Sequence, residues 1–539
     1  AQTNCADPTV LKSETPGDAY WYVYCTSDSL ADDDVDGAGQ RRLHKLPGAR
    51  SLDLVHWESI GDAFAVNPSW VAPGAGLWAP EIVRRNGLYY LYYVATDVVD
   101  AVSGEPGCGS DNAIGVATSA SLAGPWVDSG APVVAPRRAG GGCNFFWTYD
   151  PDVLVTGAGS YLYYGSYYGG LEVRALAADG LLAPAASATP IAIANRYEGA
   201  NVVARDGYYY LFASASNCCN GPLTGYQVFV ARATSPTGPF VDELGLSLLE
   251  GQVGGTPVLT MNGNRWVGVG HNSVFQDAAG DWFTAYHAID EGDPYFAGQV
   301  GYSKRPMLLD RVTWSSSGWP EVRARLGASD VRQLAPQAQP FPGIAPARPY
   351  EYLPLNVVDA TSILRAVDAY DPTSQPPIAA SSDEFSGPQL GAQWTWVRPP
   401  SSGARLTGAA FQLDSQPADL NLGQNSASVL TAAAPSGNYV VEAKVTLDVP
   451  PNGCCFNFVQ AGLVAYGNDD RYVKLVSASI WETRQTEFAK EVDDAAPGYP
   501  AYGTSVGAAP GPTTWLRVAK VRVSGDDYYV SYTSRDGAT

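Results

Sequence analysis

Positive charge is scarce in this chain. Its 539 residues carry 33 Lys and Arg against 54 Asp and Glu, a formal net charge of −21. Such a surface repels a phosphate backbone, so nucleic acid is not an expected partner. No polybasic segment offers a membrane anchor, and no apolar run approaches the roughly 18 residues of a spanning helix. No two cysteines stand as Cys-x-x-Cys, which removes the usual thiolate zinc site. Methionine is down to two residues and histidine to four. No stretch shows convincing amphipathic helical periodicity, so helical fold classes drop out as well. The opening residues Ala1-Gln2-Thr3-Asn4-Cys5 hold no basic-then-apolar leader, and an exported form is expected to have lost it ahead of this numbering.

What is present points to a large all-β protein. Hydrophobic residues make up 45% and charged residues only 16%, which suits a folded chain with an ample core. Tyrosine (32) and tryptophan (14) supply strand residues, and glycine (57) and proline (40) supply turns. The length calls for two or three domains. Eight cysteines form an even set, which reads as disulfides in an oxidising, extracellular setting. Sequence does not fix their connectivity. The expected pairs are Cys5–Cys25 and Cys108–Cys143, with the adjacent Cys218-Cys219 and Cys454-Cys455 open between vicinal bridges and buried thiols.

A repeat runs through the first 320 or so residues. Each copy is a turn followed by an aromatic strand: Gly17-Asp18-Ala19-Tyr20-Trp21-Tyr22-Val23-Tyr24, Asn86-Gly87-Leu88-Tyr89-Tyr90-Leu91-Tyr92-Tyr93, Gly159-Ser160-Tyr161-Leu162-Tyr163-Tyr164, Asp206-Gly207-Tyr208-Tyr209-Tyr210-Leu211-Phe212 and Ala279-Gly280-Asp281-Trp282-Phe283. A spacing of roughly 50–70 residues is that of a four-stranded propeller blade, and five copies predict a five-bladed β-propeller over 1–323. A proline-rich connector follows over 324–380, too apolar at Phe341, Tyr350, Tyr352 and Leu353 to float free. From 381 to 539 period-two strands return, among them Tyr439 to Leu447 and Trp515 to Val521, predicting a β-sandwich. Its last strands are expected to fall beyond Thr539.

Three carboxylates head short strands just ahead of aromatic hairpins. They are Asp7 in Ala6-Asp7-Pro8, Asp150 in Tyr149-Asp150-Pro151 and Glu198 in Tyr197-Glu198-Gly199-Ala200-Asn201. An Asp-Pro pair also occurs in ordinary turns. A carboxylate opening a buried strand, however, is costly unless it is paired, protonated or at work. Inner propeller strands converge on one axis, so distant residues can share one funnel there.

The ordered set Leu77-Trp78-Ala79-Pro80-Glu81-Ile82, Ala113-Ile114-Gly115-Val116-Ala117-Thr118-Ser119, Tyr149-Asp150-Pro151, Tyr164-Gly165-Ser166-Tyr167-Tyr168-Gly169-Gly170-Leu171, the Glu198 segment and Gly270-His271-Asn272-Ser273 resembles glycoside hydrolase family 43, and within it the arabinanases. The C-terminal part resembles the concanavalin-like sandwich often fused to such propellers, at Asp383-Glu384-Phe385 and Ala461-Gly462-Leu463. The resemblance implies an inverting glycosidase with Asp7 as general base, Glu198 as general acid and Asp150 raising the pKa of Glu198. Inversion needs the acid and base about 6.5–9.5 Å apart, with water between.

The resemblance also places His271 near the axis, where it implies either a mainly water-coordinated metal ion, usually calcium, or a support for the active-site acids. No cofactor is expected for the chemistry itself. The acidic run Asp32-Asp33-Asp34-Val35-Asp36-Gly37 lacks the closing Glu of an EF-hand and reads as a solvated loop. Trp78, Trp147, Tyr149 and Tyr197 adjoin the motifs as candidate sugar platforms, with Asn201 as a further substrate-binding candidate. Arg305-Pro306 reads as a ring-closing structural segment. Gly199-Ala200-Asn201 departs from the family, which usually carries proline after the acid's small neighbour, and this alters the wall beside Glu198. Insertions over 97–110 and 137–143 are placed to block one end of the cleft.

The expected activity is hydrolysis of α-1,5-linked arabinan from plant cell walls by an extracellular monomer. The alternatives are an α-L-arabinofuranosidase or β-xylosidase, and a non-catalytic polysaccharide-binding propeller.

Overall fold

The computed structural model describes residues 4–183, 187–330, 333–340 and 376–538. The chain divides into two compact units, Ala1–Val357 and Val358–Thr539. The first unit is built of five four-stranded antiparallel sheets, each with its strands in sequence order. Blade 1 holds Thr9–Lys12, Trp21–Tyr24, Pro47–Ser51 and Glu58–Asp62. Blade 2 holds Leu77–Arg85, Leu88–Ala95, Ala113–Ser119 and Val127–Asp128. Blade 3 holds Asp152–Thr156, Gly159–Ser166, Gly170–Leu176 and Thr189–Ala192. Blade 4 holds Glu198–Arg205, Tyr208–Ala215, Gln227–Ala233 and Thr256–Leu259, and blade 5 holds Trp266–Gln276, Trp282–Asp290, Met307–Trp314 and Pro320–Val322. The first strands touch one another in a closed circle, from blade 1 round to blade 5 and back to blade 1. They are therefore the innermost strands of a five-bladed propeller.

The aromatic repeats form the turn between the first and second strands of each blade. Asn86-Gly87 (φ 49° and 84°) and Asp206-Gly207 (φ 49° and 80°) supply the two left-handed positions that a tight two-residue hairpin requires. Successive side chains on a strand face opposite ways. Tyr89, Leu91 and Tyr93 accordingly join Tyr22, Tyr24 and Trp126 between blades 1 and 2. Tyr90 and Tyr92 join Val153, Leu162 and Tyr164 between blades 2 and 3. One strand thus fills two interfaces, and each ring so buried contributes about 2–3 kcal/mol of transfer free energy.

The circle closes without a shared sheet. Cys5 N–H donates to the Arg305 carbonyl at 3.0 Å, and Arg305 N–H donates to Asn4 Oδ1 at 2.6 Å. Residues 333–340 run across the same seam: Gln337 N–H reaches Asp277 Oδ2 of blade 5 at 2.7 Å, and Ala338 O accepts from Trp21 Nε1 of blade 1 at 2.8 Å. The start of the expected connector therefore lies on the propeller. Its remainder, with Phe341, Tyr350, Tyr352 and Leu353, lies outside the described residues. Cys5 is joined to Cys25 and Cys108 to Cys143, with Cα atoms 5.1 and 5.3 Å apart, and both adjacent cysteine pairs are joined as well.

The second unit carries a three-stranded sheet of Tyr439–Val445, Thr514–Val523 and Asp526–Ser534. Beside it is a four-stranded sheet of Gln460–Asn468, Arg471–Ile480, Thr483–Glu491 and Tyr502–Val506. Leu475, Leu516 and Val518 form its core with Val445, Leu463, Phe488 and Tyr529, side chains drawn from both sheets. This is the expected sandwich. No helix among the described residues is long and apolar enough to cross a membrane.

Candidate active site

Every innermost strand is reached through one residue in the left-handed region: Asp7 (φ 51°), Ala79 (44°), Asp150 (56°), Gly199 (59°) and His271 (49°). Regular pairing is in place two residues later, at Thr9, Glu81, Asp152, Asn201 and Ser273. The kink turns the chain at the same end of all five blades. Such positions cost non-glycine residues about 1–3 kcal/mol each and collect at functional sites. At Gly199 a Cβ would lie 3.3 Å from His271 Nδ1, close enough that the imidazole would have to shift.

The three acids meet at this end of the propeller. Asp7 is buried, and its Oδ2 accepts from Thr26 Oγ1 at 2.5 Å. Its Oδ1 lies 3.1 Å from His287 Nδ1, 3.3 Å from His271 Nδ1 and 3.3 Å from Arg305 Nη1. Burial pushes the Asp7 carboxyl up, but His271, Arg305 and His287 together outweigh it and hold the group well below the usual carboxylate range. Burial pulls both imidazoles down, His287 to about 4.

Glu198 has the opposite surroundings. Its Oε1 accepts from Tyr226 OH and its Oε2 from Ser166 Oγ, both at 2.8 Å. Burial raises it, the charge of Asp7 adds to that rise, and the two hydroxyl donors only partly offset it. Asp150 Oδ2 accepts the N–H of Gly199 at 2.8 Å, which ties the Asp150 turn to the strand of Glu198. Burial and the charges of Glu198 and Asp7 push Asp150 well up. Glu198 and Asp150 are thus both pushed up, by burial first, while Asp7 is held down. The Tyr226 and Ser166 hydroxyls can rotate to accept from a protonated Glu198.

Residues 1–320 match the family model for glycosyl hydrolases family 43, well over half of the chain. The chain belongs to this family. Residues 382–539 match the model for the β-xylosidase C-terminal concanavalin A-like domain. The chain is 29% identical over 299 residues to an extracellular exo-α-(1→5)-L-arabinofuranosidase of Cellvibrio japonicus, covering 50% of this chain and 78% of that one. It is 29% identical over 325 residues to an extracellular endo-α-(1→5)-L-arabinanase of Bacillus subtilis, covering 58% and 86%. It is 34% identical over 283 residues to an arabinan endo-1,5-α-L-arabinosidase of Emericella nidulans, covering 49% and 80%.

The other site candidates of this family 43 enzyme separate into two groups. Trp78 and Trp147 are exposed, at 42% and 40%, and both rings lie 6.0 Å from that of Tyr149. The three form one continuous aromatic surface beside Asp150. Trp78, Tyr149 and Glu198 hold the same place in their blades, one residue before the left-handed kink, where blades 1 and 5 have the small Ala6 and Gly270.

Tyr197 does not belong with them. Its exposure is 0%, and its hydroxyl donates to the Gly254 carbonyl, so no face is left for a sugar. Asn201 is also withdrawn from the substrate. Its amide is buried, donating to Asp152 Oδ1 at 2.9 Å and accepting from Val274 N–H at 3.0 Å.

The insertions are bound to each other. The Cys108–Cys143 bridge joins them, Arg138 Nη1 meets Glu105 Oε1 at 2.6 Å, and Arg137 Nη2 donates to the Trp147 carbonyl at 2.9 Å. They make a braced wall next to the exposed Trp147.

Four contributors escape sequence reading: Arg305, His287, Tyr226 and Ser166. Arg305 closes the ring through its backbone, as expected, but its guanidinium also faces Asp7. His287 sits inside an aromatic strand, where periodicity reads it as core, and Tyr226 stacks on it with ring centroids 5.6 Å apart. A scarce histidine next to Tyr286 is the one signal in the sequence that marks this strand out. No group of three or more His, Cys, Asp or Glu able to hold a metal occurs among the described residues, so a calcium held mainly through water at His271 rests on the resemblance alone. The one carboxylate against His271 is Asp7, already engaged by Thr26, His287 and Arg305.

Proposed function

We propose that this enzyme is an extracellular, inverting hydrolase of α-1,5-linked arabinofuranosyl chains in plant cell-wall polysaccharide. One observation carries the reading: carboxyls on different blades of one funnel are driven in opposite directions, Asp7 down and Glu198 up. A base and an acid that coexist near neutral pH need that divergence. In this mechanism Asp7 takes a proton from a water whose oxygen attacks the anomeric carbon. The bond to the leaving sugar oxygen breaks on the opposite face, and Glu198 donates its proton to that oxygen. The product is a hemiacetal of inverted configuration. Burial and the charge of Asp7 keep Glu198 protonated until this step, and Asp150 fixes its strand through Gly199. Trp78, Tyr149 and Trp147 stack on the C–H faces of the pentose units. The extracellular setting is supported by four disulfides and by the names of the relatives.

A second reading keeps the chemistry but changes the sugar to xylan or arabinoxylan. The match of residues 382–539 to a β-xylosidase C-terminal domain favours it. Product profiling on linear α-1,5-arabinan, arabinoxylan and xylan, with Glu198→Ala alongside, decides between them. Arabinose or short arabinan oligomers, lost in the variant, support the first reading. Xylose as the main product supports the second. Full activity in Glu198→Ala would remove Glu198 from the acid's role.

A further inference from the structure

The residues two places after the left-handed kinks, Thr9, Glu81, Asp152, Asn201 and Ser273, form a ring of their own. Each side chain accepts the backbone N–H of the next residue along in the neighbouring blade. Thr9 Oγ1 takes Ile82 N–H at 3.2 Å, and Glu81 takes Val153 N–H. Asp152 Oδ2 takes Val202 N–H at 2.9 Å, and Asn201 Oδ1 takes Val274 N–H at 3.0 Å. Ser273 Oγ takes Val10 N–H at 3.4 Å, so the circle also closes across the seam. Thr9 Oγ1 further donates to Glu81 Oε2 at 2.8 Å, and Asn201 Nδ2 to Asp152 Oδ1 at 2.9 Å.

Asp152 is the one member that grips the strand carrying Glu198. With Asp150 it holds that strand at three points: Gly199 N–H, Asn201 Nδ2 and Val202 N–H. Glu198 is one residue from the first of these and three from the second. Asp152 itself is 3% exposed and cannot touch substrate. We propose that Asp152 is a positioning residue for Glu198, setting through Asn201 and Val202 where the acid's oxygen stands relative to the leaving group. The inference rests on Glu198 being the general acid.

The hydrogen-bond pattern permits a test by exchange. In Asp152→Asn the new amide nitrogen faces the amide nitrogen of Asn201, donor against donor. In Asn201→Asp two carboxyls face each other, and the bond between them is lost at a pH high enough to ionise both, so the assay is run above about pH 8. In the double exchange every bond is restored with roles reversed: the new carboxylate at 201 accepts from the new amide at 152 and still takes Val274 N–H, while the amide oxygen at 152 takes Val202 N–H.

The assay compares an α-1,5-arabino-oligosaccharide, whose leaving alcohol needs a proton, with a 2,4-dinitrophenyl α-L-arabinofuranoside, whose leaving group does not. Displacement of a catalytic group by about 1 Å costs on the order of 100-fold. Each single variant is therefore expected to lose about 10–100-fold in kcat on the oligosaccharide, with KM nearly unchanged, and less than about threefold on the aryl glycoside. The double exchange is expected to regain the oligosaccharide rate.

Ser273→Ala breaks the same ring on the blade 5 to blade 1 side and serves as the comparison. It is expected to show no such dependence on the leaving group. Equal losses on both substrates, or a folded double exchange as slow as the single variants, would overturn the proposal. So would leaving-group dependence in Ser273→Ala. Should the single variants fail to fold, the double exchange and Ser273→Ala carry the test: a double exchange that matches wild type on both substrates supports it. Glu198→Gln is run in parallel. Equal loss on both substrates in that variant would remove the acid assignment, whatever the ring variants show.

Discussion

Replacing Asp7 by asparagine perturbs the site in two ways that can be read separately. The carboxylate lies against Thr26, His271, His287 and Arg305. Asparagine keeps an acceptor but loses the charge. Arg305 then keeps Asp28 as its main anionic neighbour. Breaking a buried pair by removing one partner costs about 3–5 kcal/mol, and Asp28 shares the load, so the lower end, about 3 kcal/mol at pH 7, is expected.

The pH dependence has a definite sign. The folded carboxyl is depressed, so the unfolded chain takes up a proton first as pH falls below about 3.9, and wild-type stability then drops by up to about 1.4 kcal/mol per pH unit. The variant lacks this slope, so the gap between the two proteins narrows in acid. Activity on arabinan is expected to fall by about 100–10,000-fold, the usual worth of a general base. Urea unfolding at pH 7 and pH 3, with sugar release at pH 7, measures both effects. A variant as stable as wild type at pH 7, or a deficit unchanged in acid, would refute the ion-pair reasoning. Retained activity would refute the base.

Asp310 is buried, accepts from Tyr286 OH and Ser329 N–H, and is raised to about 6 by burial. The folded state therefore holds the extra proton, and stability is expected to fall by about 3 kcal/mol between pH 4 and pH 6.5, a slope that Asp310→Asn removes in urea titrations. Trp147→Ala is expected to raise KM several-fold with little change in kcat, because an exposed platform binds substrate and transition state alike. Tyr197→Phe, in contrast, is expected to leave KM unchanged and to cost about 1–2 kcal/mol of stability, since its hydroxyl serves the Gly254 carbonyl and Arg196, inside the fold. Opening the bridge with Cys108→Ser and Cys143→Ser closes no loop of 35 residues in the unfolded state, so up to about 3–4 kcal/mol is expected to be lost. If the braced wall limits the cleft, product profiling will show longer oligomers in that variant.

Most of the architecture was legible because it is local. Turn residues beside aromatic strands recur at blade spacing, and the five turns formed where Asp-Gly, Asn-Gly and their equivalents stand. The acids were legible because each opens a strand, where burial makes a carboxylate conspicuous. The residues that set their charge states were not. Arg305, His287 and Tyr226 reach the site from second and third strands or from a loop, and each looks like core or scaffold in its own segment. Tyr197 and Asn201 were misjudged for the converse reason. They neighbour Glu198 in sequence, but at a kinked strand one step along the chain turns a side chain from the funnel into a blade.

That kink explains why one end of this propeller carries the chemistry. A regular strand would alternate its side chains between neighbouring blades and leave the axis to backbone. The left-handed residue breaks the alternation, so that the residue before it faces the funnel and the residue two places after it is free to bond across to the next blade. Five equivalent positions result, and the sequence fills them unequally. The residues before the kink are Ala6, Trp78, Tyr149, Glu198 and Gly270, which puts aromatic rings on blades 2 and 3, a carboxyl on blade 4 and small residues on blades 5 and 1. At the kink itself stand Asp7, Asp150 and His271, so two of the three carboxyls and the histidine beside Asp7 occupy the strained position. Strain of about 1–3 kcal/mol per residue persists only where the surroundings over-determine it. Here the polar ring two residues further on supplies that constraint, because each kinked strand is bonded to the blade on either side.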